Sequence, residues 1–231
     1  MIKEGHFGFF EALSLMTIVL VTKAFYTSPM AIIKKTGTAA WYETLISVSV
    51  SLIFFGLLYF LMKRFPGQDL FQIFETVSGR IVGRMFTLTF SFYFLYYAAI
   101  NIREFSAILK AYSFPYTPVS MIILPLMLIV TAMAYIGLEG IARVAYIFAF
   151  PILGGLLLIL LLAIPVYNWE YLQPIFGYGI QTTISTGILR SSAYNEIIIL
   201  AIIINSIHGL KNFKRVGVSA LIIAGMSISI C

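Results

Sequence analysis

Apolar runs and the polar positions that interrupt them divide this chain into blocks long enough to cross a lipid bilayer. A crossing helix needs about 20 apolar residues at about 1.5 Å rise each. Pro118–Leu138 and Val144–Tyr167 contain no Asp, Glu, Lys or Arg, and Thr44–Met62 and Met85–Ile102 are nearly as clean. Phe7–Ile33, Thr182–Ile207 and the stretch from Val216 qualify once internal polar residues are admitted. The pattern predicts an all-α integral membrane fold, a single transmembrane domain over 1–231 with spans at about 7–33, 42–62, 85–109, 118–138, 143–165, 182–207 and 216–231. The last run reaches Cys231 without a polar stop, so the expectation is six spans and the start of a seventh, in a chain truncated from a longer protein.

Between the blocks, Lys63-Arg64-Phe65-Pro66-Gly67 closes the second span, because Pro and Gly stop a helix where a basic pair meets the headgroups. From Asp69 to Arg84, Leu70, Ile73, Phe74 and Val77 recur at helical spacing and predict a short interfacial helix. Trp169, Tyr171 and Tyr178 predict that the segment between Tyr167 and Gln181 lies along the outer membrane interface. Pro125, Pro151 and Pro165 read as kinks, and Gly154-Gly155 as a place of close helix contact.

Composition turns this pattern into an exclusion. The chain is 61% hydrophobic and 10% charged, against roughly 45–50% and about 25% in soluble domains. So little charge cannot cover a water-soluble surface. With the N-terminus inside, Lys3, Lys63, Arg64, Arg80, Arg84, Arg143, Lys211, Lys214 and Arg215 fall on the cytoplasmic side. Lys34, Lys35, Lys110 and Arg103 are left for the other side. This asymmetry predicts a cytoplasmic N-terminus. The net charge of +6 then expresses topology, and no nucleic acid is expected as a partner. Met1–Glu11 mixes charges of both signs with glycine and does not form a signal peptide, and one cysteine excludes an intramolecular disulfide.

The first and sixth apolar segments share an anomaly. The first is interrupted by Thr22-Lys23-Ala24-Phe25-Tyr26-Thr27-Ser28-Pro29, the sixth by Arg190-Ser191-Ser192-Ala193-Tyr194-Asn195-Glu196. Ionisable groups at membrane depth cost at least roughly 2.5–3.5 kcal/mol each, so they face a cavity or a partner unless they snorkel to an interface. Snorkelling of Lys23 and Arg190, a structural ion pair and a ligand cavity all remain open on this pattern. The positions favour the cavity. A transporter built from inverted repeats of five spans puts a discontinuous helix first in each half, and substrate binds where the unwound backbone is free. Tyr97 and Asn101 share one face of the third span, which Tyr93 extends by a turn. They are expected to line the same cavity.

Gly37-Thr38-Ala39-Ala40-Trp41, Lys63-Arg64-Phe65-Pro66-Gly67, Ile73-Phe74-Glu75, Arg103-Glu104-Phe105 and Gly137-Leu138-Glu139-Gly140-Ile141-Ala142-Arg143 together resemble the endospore germination permease family. The resemblance covers essentially the whole chain in order and spacing. It implies a leucine-transporter-like inverted-repeat helical bundle within the amino acid–polyamine–organocation superfamily, and the role of B subunit in a nutrient germinant receptor. The implied partners are a small germinant, an amino acid, together with A- and C-type receptor subunits and the lipid bilayer of the spore inner membrane. The chain departs from the family at one point: where relatives commonly carry a Gly-x-Gly-like break, Thr22 and Ala24 flank Lys23. Lys23 then supplies the positive charge itself.

The candidate ligand-binding residues are therefore Lys23, Ala24, Phe25, Tyr97, Asn101, Tyr194 and Glu196, with Lys23 facing Glu196 across the cavity. An amino-acid or cation-coupled secondary transporter is the alternative function, since sensing and transport would use the same pocket. A scaffold without ligand is a third, in which the polar breaks merely pair with one another. No catalytic constellation competes: His6 and His208 lie near opposite ends of the chain, no HExxH or G-x-S-x-G occurs, and no cysteine–histidine metal spacing occurs. Neither an enzyme activity nor a cofactor or metal is expected.

Overall fold

The computed structural model describes residues 5–22 and 28–230, leaving aside the side chains of Ser28, Val166, Trp169 and Tyr171. Its long elements are helices: α1 Phe9–Val21, α2 Ser28–Thr36, α3 Ala40–Arg64, α4 Leu70–Tyr112, α5 Val119–Ile136, α6 Leu138–Ala163, α7 Ile180–Arg190, α8 Ile199–Ile202 and α9 Leu210–Ile230. Among the described residues, the helical stretches long and apolar enough to cross a membrane are Pro29–Arg64, Leu70–Tyr112, Val119–Ile136, Leu138–Ala163 and Leu210–Ile230. The chain is an integral membrane protein of helical, transporter-like type. The sixth segment does not contribute an unbroken span, since a 3₁₀ stretch follows Arg190. α1 ends after 13 residues and α7 after 11.

Local chemistry explains the helix ends. α3 stops at Arg64, and Gly67 takes a φ of 80° in the turn that follows. Only glycine adopts that conformation without steric cost. Asp69 then opens α4 with a reciprocal cap, its carboxylate accepting from the Gln72 amide at 2.8 Å while the Gln72 side chain accepts from the Asp69 amide at 3.0 Å.

The predicted interfacial helix over 69–84 is corrected in its extent. At Gly79 the backbone leaves helical geometry (φ 79°, ψ 165°), so Leu70–Ser78 forms a separate short arm and the long arm of α4 starts at Arg80. A Cβ on Gly83 would stand 2.5 Å from the Glu75 Cα, so the two arms touch backbone to backbone. Leu70 and Ile73 are each 2% exposed, whereas Val77, in the same helical register one turn further on, is 65% exposed.

The core lies where α9 packs along α1 and α3, with α6 covering the other side of α1. Hydrophobic attraction between helices is weak in lipid, so close association depends on small residues that let side chains and backbones meet. α9 supplies Gly217, Ala220, Ala224 and Gly225 along its buried face. A Cβ on Gly217 would fall inside the ring of Phe55, and one on Gly225 would overlap Val48. Phe55 also stacks on Phe213 with centroids 5.2 Å apart. Gly154 and Gly155 were expected to mediate close contact, but a methyl group added at either would meet nothing within 4 Å, so the tight packing lies on α9 instead. α5 and α6 continue through Pro125 and Pro151 as single helices.

At one end of the bundle, the segment after α6 folds over the turn between α2 and α3. Tyr178 N donates to the Thr36 carbonyl at 3.4 Å, and Thr38 Oγ1 donates to the Pro174 carbonyl. At the other end, His6 and His208 stack with centroids 5.5 Å apart, held by a Phe7 N–H bond to the Ser206 carbonyl at 3.2 Å. Residues remote in sequence are thus neighbours in space.

Candidate functional site

The break in the sixth segment starts from its own composition. Ser, Asn and Asp side chains bond nearby backbone and so compete with the helical ladder. Here Ser191 Oγ donates to the Ile188 carbonyl at 2.7 Å and Ser192 Oγ to the Leu189 carbonyl at 2.8 Å. From Ser191 to Ile198 the chain tightens into 3₁₀ geometry, with Tyr194 off helical angles (φ −104°, ψ 15°). Runs of 3₁₀ beyond 3–4 residues are uncommon and mark hinges or strain. This one spans 8 residues.

The neighbouring α3 stabilises the break. Ser47 Oγ donates to the Gly187 carbonyl at 2.9 Å, and Ser51 Oγ lies 3.1 Å from the Ser191 carbonyl. Both pairs are separated by 140 residues, so α3 and α7 run parallel in one register. Gly187 permits the approach: a Cβ there would come within 2.8 Å of Ile46 Cγ2 and 3.3 Å of the Glu43 carbonyl.

Two polar groupings flank the 3₁₀ stretch. On one side, the Tyr97 hydroxyl donates to Glu196 Oε1, and Asn195 Nδ2 donates to the Tyr93 hydroxyl. Tyr93 and Tyr97 stack with centroids 6.2 Å apart and an interplanar angle of 15°. Glu196 is 5% exposed. Asn101 sits one turn along α4, where its Nδ2 donates to the Tyr97 carbonyl at 2.9 Å. On the other side, Tyr194 joins Ile32, Glu43, Thr44, Ser47, Arg190 and Ala193 around a cavity of ≈ 10 Å³. Arg190 Nε is 3.7 Å from Glu43 Oε1.

The structure thus brings Tyr97 and Glu196 into direct contact with Asn101 alongside, and turns Tyr194 toward the second grouping. Lys23, Ala24 and Phe25 lie outside the described residues, and with them the expected Lys23–Glu196 pair. Sequence reasoning missed Glu43, Ser47 and Ser51. Their signal was the four-residue spacing, which puts one carboxylate and two hydroxyls on a single face of an otherwise apolar helix. Among the described residues, no group of three or more His, Cys, Asp or Glu side chains could hold a metal ion.

A family profile described as spore germination protein matches residues 7–231. The chain is similar to spore germination protein KB of Bacillus subtilis (strain 168), with 22% identity over 198 residues that cover 84% of this chain and 53% of that protein. It is also similar to two more proteins of the same organism. Putative spore germination protein YfkT is 27% identical over 182 residues, 78% of this chain and 49% of that protein. Spore germination protein A2 is 24% identical over 175 residues, 74% of this chain and 47% of that protein. The chain spans about half the length of the curated relatives it matches. No solved structure matches it. With a profile match over nearly all of its residues, an all-helical membrane architecture and a broken sixth segment, this chain belongs to the spore germination protein family.

Proposed function

We propose that this chain forms part of the transporter-like B-type subunit of a spore nutrient germinant receptor, which binds an amino acid at the broken segments and passes a conformational signal to A- and C-type subunits. The observation that carries this reading is the buried carboxylate of Glu196, held by the Tyr97 hydroxyl at a 3₁₀ break inside a membrane helix. A carboxylate at that depth is costly and persists where it meets a partner or a ligand cation. Glu196 reads the ammonium of an amino acid, Lys23 reads its carboxylate, and Ala24, Phe25, Tyr97, Asn101 and Tyr194 complete the pocket. Polar interruptions of the first and the sixth apolar segments in sequence suit an inverted repeat of five spans. On this reading the N-terminus is cytoplasmic and the protein resides in the spore inner membrane.

The test is equilibrium binding of each common amino acid to the full-length protein in vesicles, with uptake measured in parallel. Saturable binding that Glu196→Gln weakens by tenfold or more, without net uptake, is the expected result. Concentrative uptake would replace sensing by transport. Binding that is unaffected by Glu196→Gln would remove the site from this position.

A further inference from the structure

Glu43 occupies the first turn of α3, a position where a carboxylate is normally favoured by the helix N-terminus and by water. It has no water. Its exposure is 0%; Oε1 lies 3.2 Å from Ser47 Oγ and 3.7 Å from Arg190 Nε, and among the described residues Oε2 has no hydrogen-bond partner. Buried polar atoms are nearly always satisfied, and an orphaned one asks for an explanation. The ≈ 10 Å³ cavity beside it is lined by Glu43, Thr44, Ser47, Arg190 and Tyr194. That is room for one water at most.

Arg190 is the last residue of α7, and the 3₁₀ stretch with Tyr194 and Glu196 follows directly. Fixing the Arg190 side chain against α3 therefore fixes where this stretch begins. Three residues per turn then carry that position on to Tyr194 and Glu196. Ser47 and Ser51 hold the backbone carbonyls on the same face. Hydroxyls alone would satisfy those carbonyls, and Glu43 adds the charged anchor.

We propose that Glu43 is a positioning residue for the candidate ligand site: through Arg190 it sets the start of the 3₁₀ stretch and so the placement of Tyr194 and Glu196. Among the described residues Glu43 keeps one oxygen without a hydrogen-bond partner, and it borders a space of one water. The role rests on the broken segment being the ligand site, as proposed above.

Two readouts on the full-length protein in vesicles test it, in a Cys231→Ser background. The first needs no ligand. Ala193→Cys places a thiol at the half-buried edge of the chamber. Glu43→Gln is expected to raise its labelling rate about tenfold, the size of a local opening equilibrium shifted by loss of one ion-pair partner. Arg190→Gln should match it, and the double variant should add nothing. Arg190→Lys, which keeps the charge, should restore part of the protection. The second readout is the amino-acid response: Glu43→Gln should raise the half-maximal concentration about tenfold with the maximum preserved. Unchanged labelling at wild-type membrane abundance, or strictly additive effects, would overturn the proposal. If Glu43→Gln fails to accumulate, Glu43→Asp should give an intermediate rise, and no rise there overturns it equally. A wild-type protein that responds to no amino acid removes the ligand-site reading, while the labelling still decides whether Glu43 positions the break.

Discussion

The Tyr97 hydroxyl of α4 donates to the Glu196 carboxylate of the 3₁₀ stretch, a contact that spans 99 residues of sequence. α4 otherwise meets the described core through few elements, chiefly α5 and the short α8. Hydrogen bonds to charged groups contribute about 1.5–3 kcal/mol and neutral ones about 0.5–1.5 kcal/mol. Tyr97→Phe is therefore expected to lower thermal stability in detergent more than Tyr93→Phe, which removes only the acceptor of Asn195. Equal or reversed effects would mean that the Glu196 contact does not hold α4 in place.

Lys23 and Glu196 are expected to be coupled. Removing one member of a buried pair leaves an uncompensated charge at about 3–5 kcal/mol, whereas removing both can be nearly neutral. Lys23→Met and Glu196→Gln should each reduce membrane abundance, and the double variant should recover it. If the two residues also read the ligand, abundance returns while the response stays lost. Strictly additive losses would show that they do not interact.

Glycine packing on α9 gives a sharp steric prediction. Gly217→Val drives a branched side chain into the Phe55 ring, and overpacking of this kind costs about 1–3 kcal/mol or more. The variant should unfold at clearly lower temperature. Gly155→Ala, which meets no neighbour, should leave the melting temperature within a degree or two of wild type.

Topology is open to a direct test. In a Cys231→Ser background, thiols introduced by Trp41→Cys and Trp169→Cys should react with an impermeant reagent from outside, and those from Lys63→Cys and Lys211→Cys only after the membrane is opened. Equal labelling of both sets from outside would refute a cytoplasmic N-terminus.

Much of the architecture was legible because in lipid the main constraint is local: a run of apolar residues must satisfy its own backbone, and length alone then identifies a span. The α3 stop at Arg64 and the break after Arg190 follow from residues within one turn of each. What escaped was set by distant partners. Glu43 lies at the very edge of an apolar run and reads as an interfacial charge until α7 is placed over it. Gly154-Gly155 looks like a packing motif, yet nothing in its own run distinguishes it from Gly217 and Gly225, which meet Phe55 and Val48. Val77 keeps the spacing of Leu70 and Ile73, yet it is 65% exposed, because spacing gives the face but not whether a neighbour covers it.

The parallel register of α3 and α7 also constrains how the protein is made. Ser47 and Ser51 leave the ribosome 140 residues ahead of the carbonyls they will bind. At roughly 5–20 residues per second, α3 waits in the bilayer for about 7–28 s before Gly187 and Ser191 arrive. During that interval its hydroxyls need partners, and the helix provides them: the Ser47 carbonyl lies 2.9 Å from Ser51 Oγ, and Glu43 Oε1 lies 3.2 Å from Ser47 Oγ. Glu43 and its serines form a stripe linked within the helix that α3 carries through insertion, and α7 docks onto it and brings Arg190 to Glu43. Replacing Ser47 and Ser51 together by alanine should therefore spare the insertion of α3 and slow the later arrival at a protease-resistant state, a delay visible by pulse-chase in intact cells.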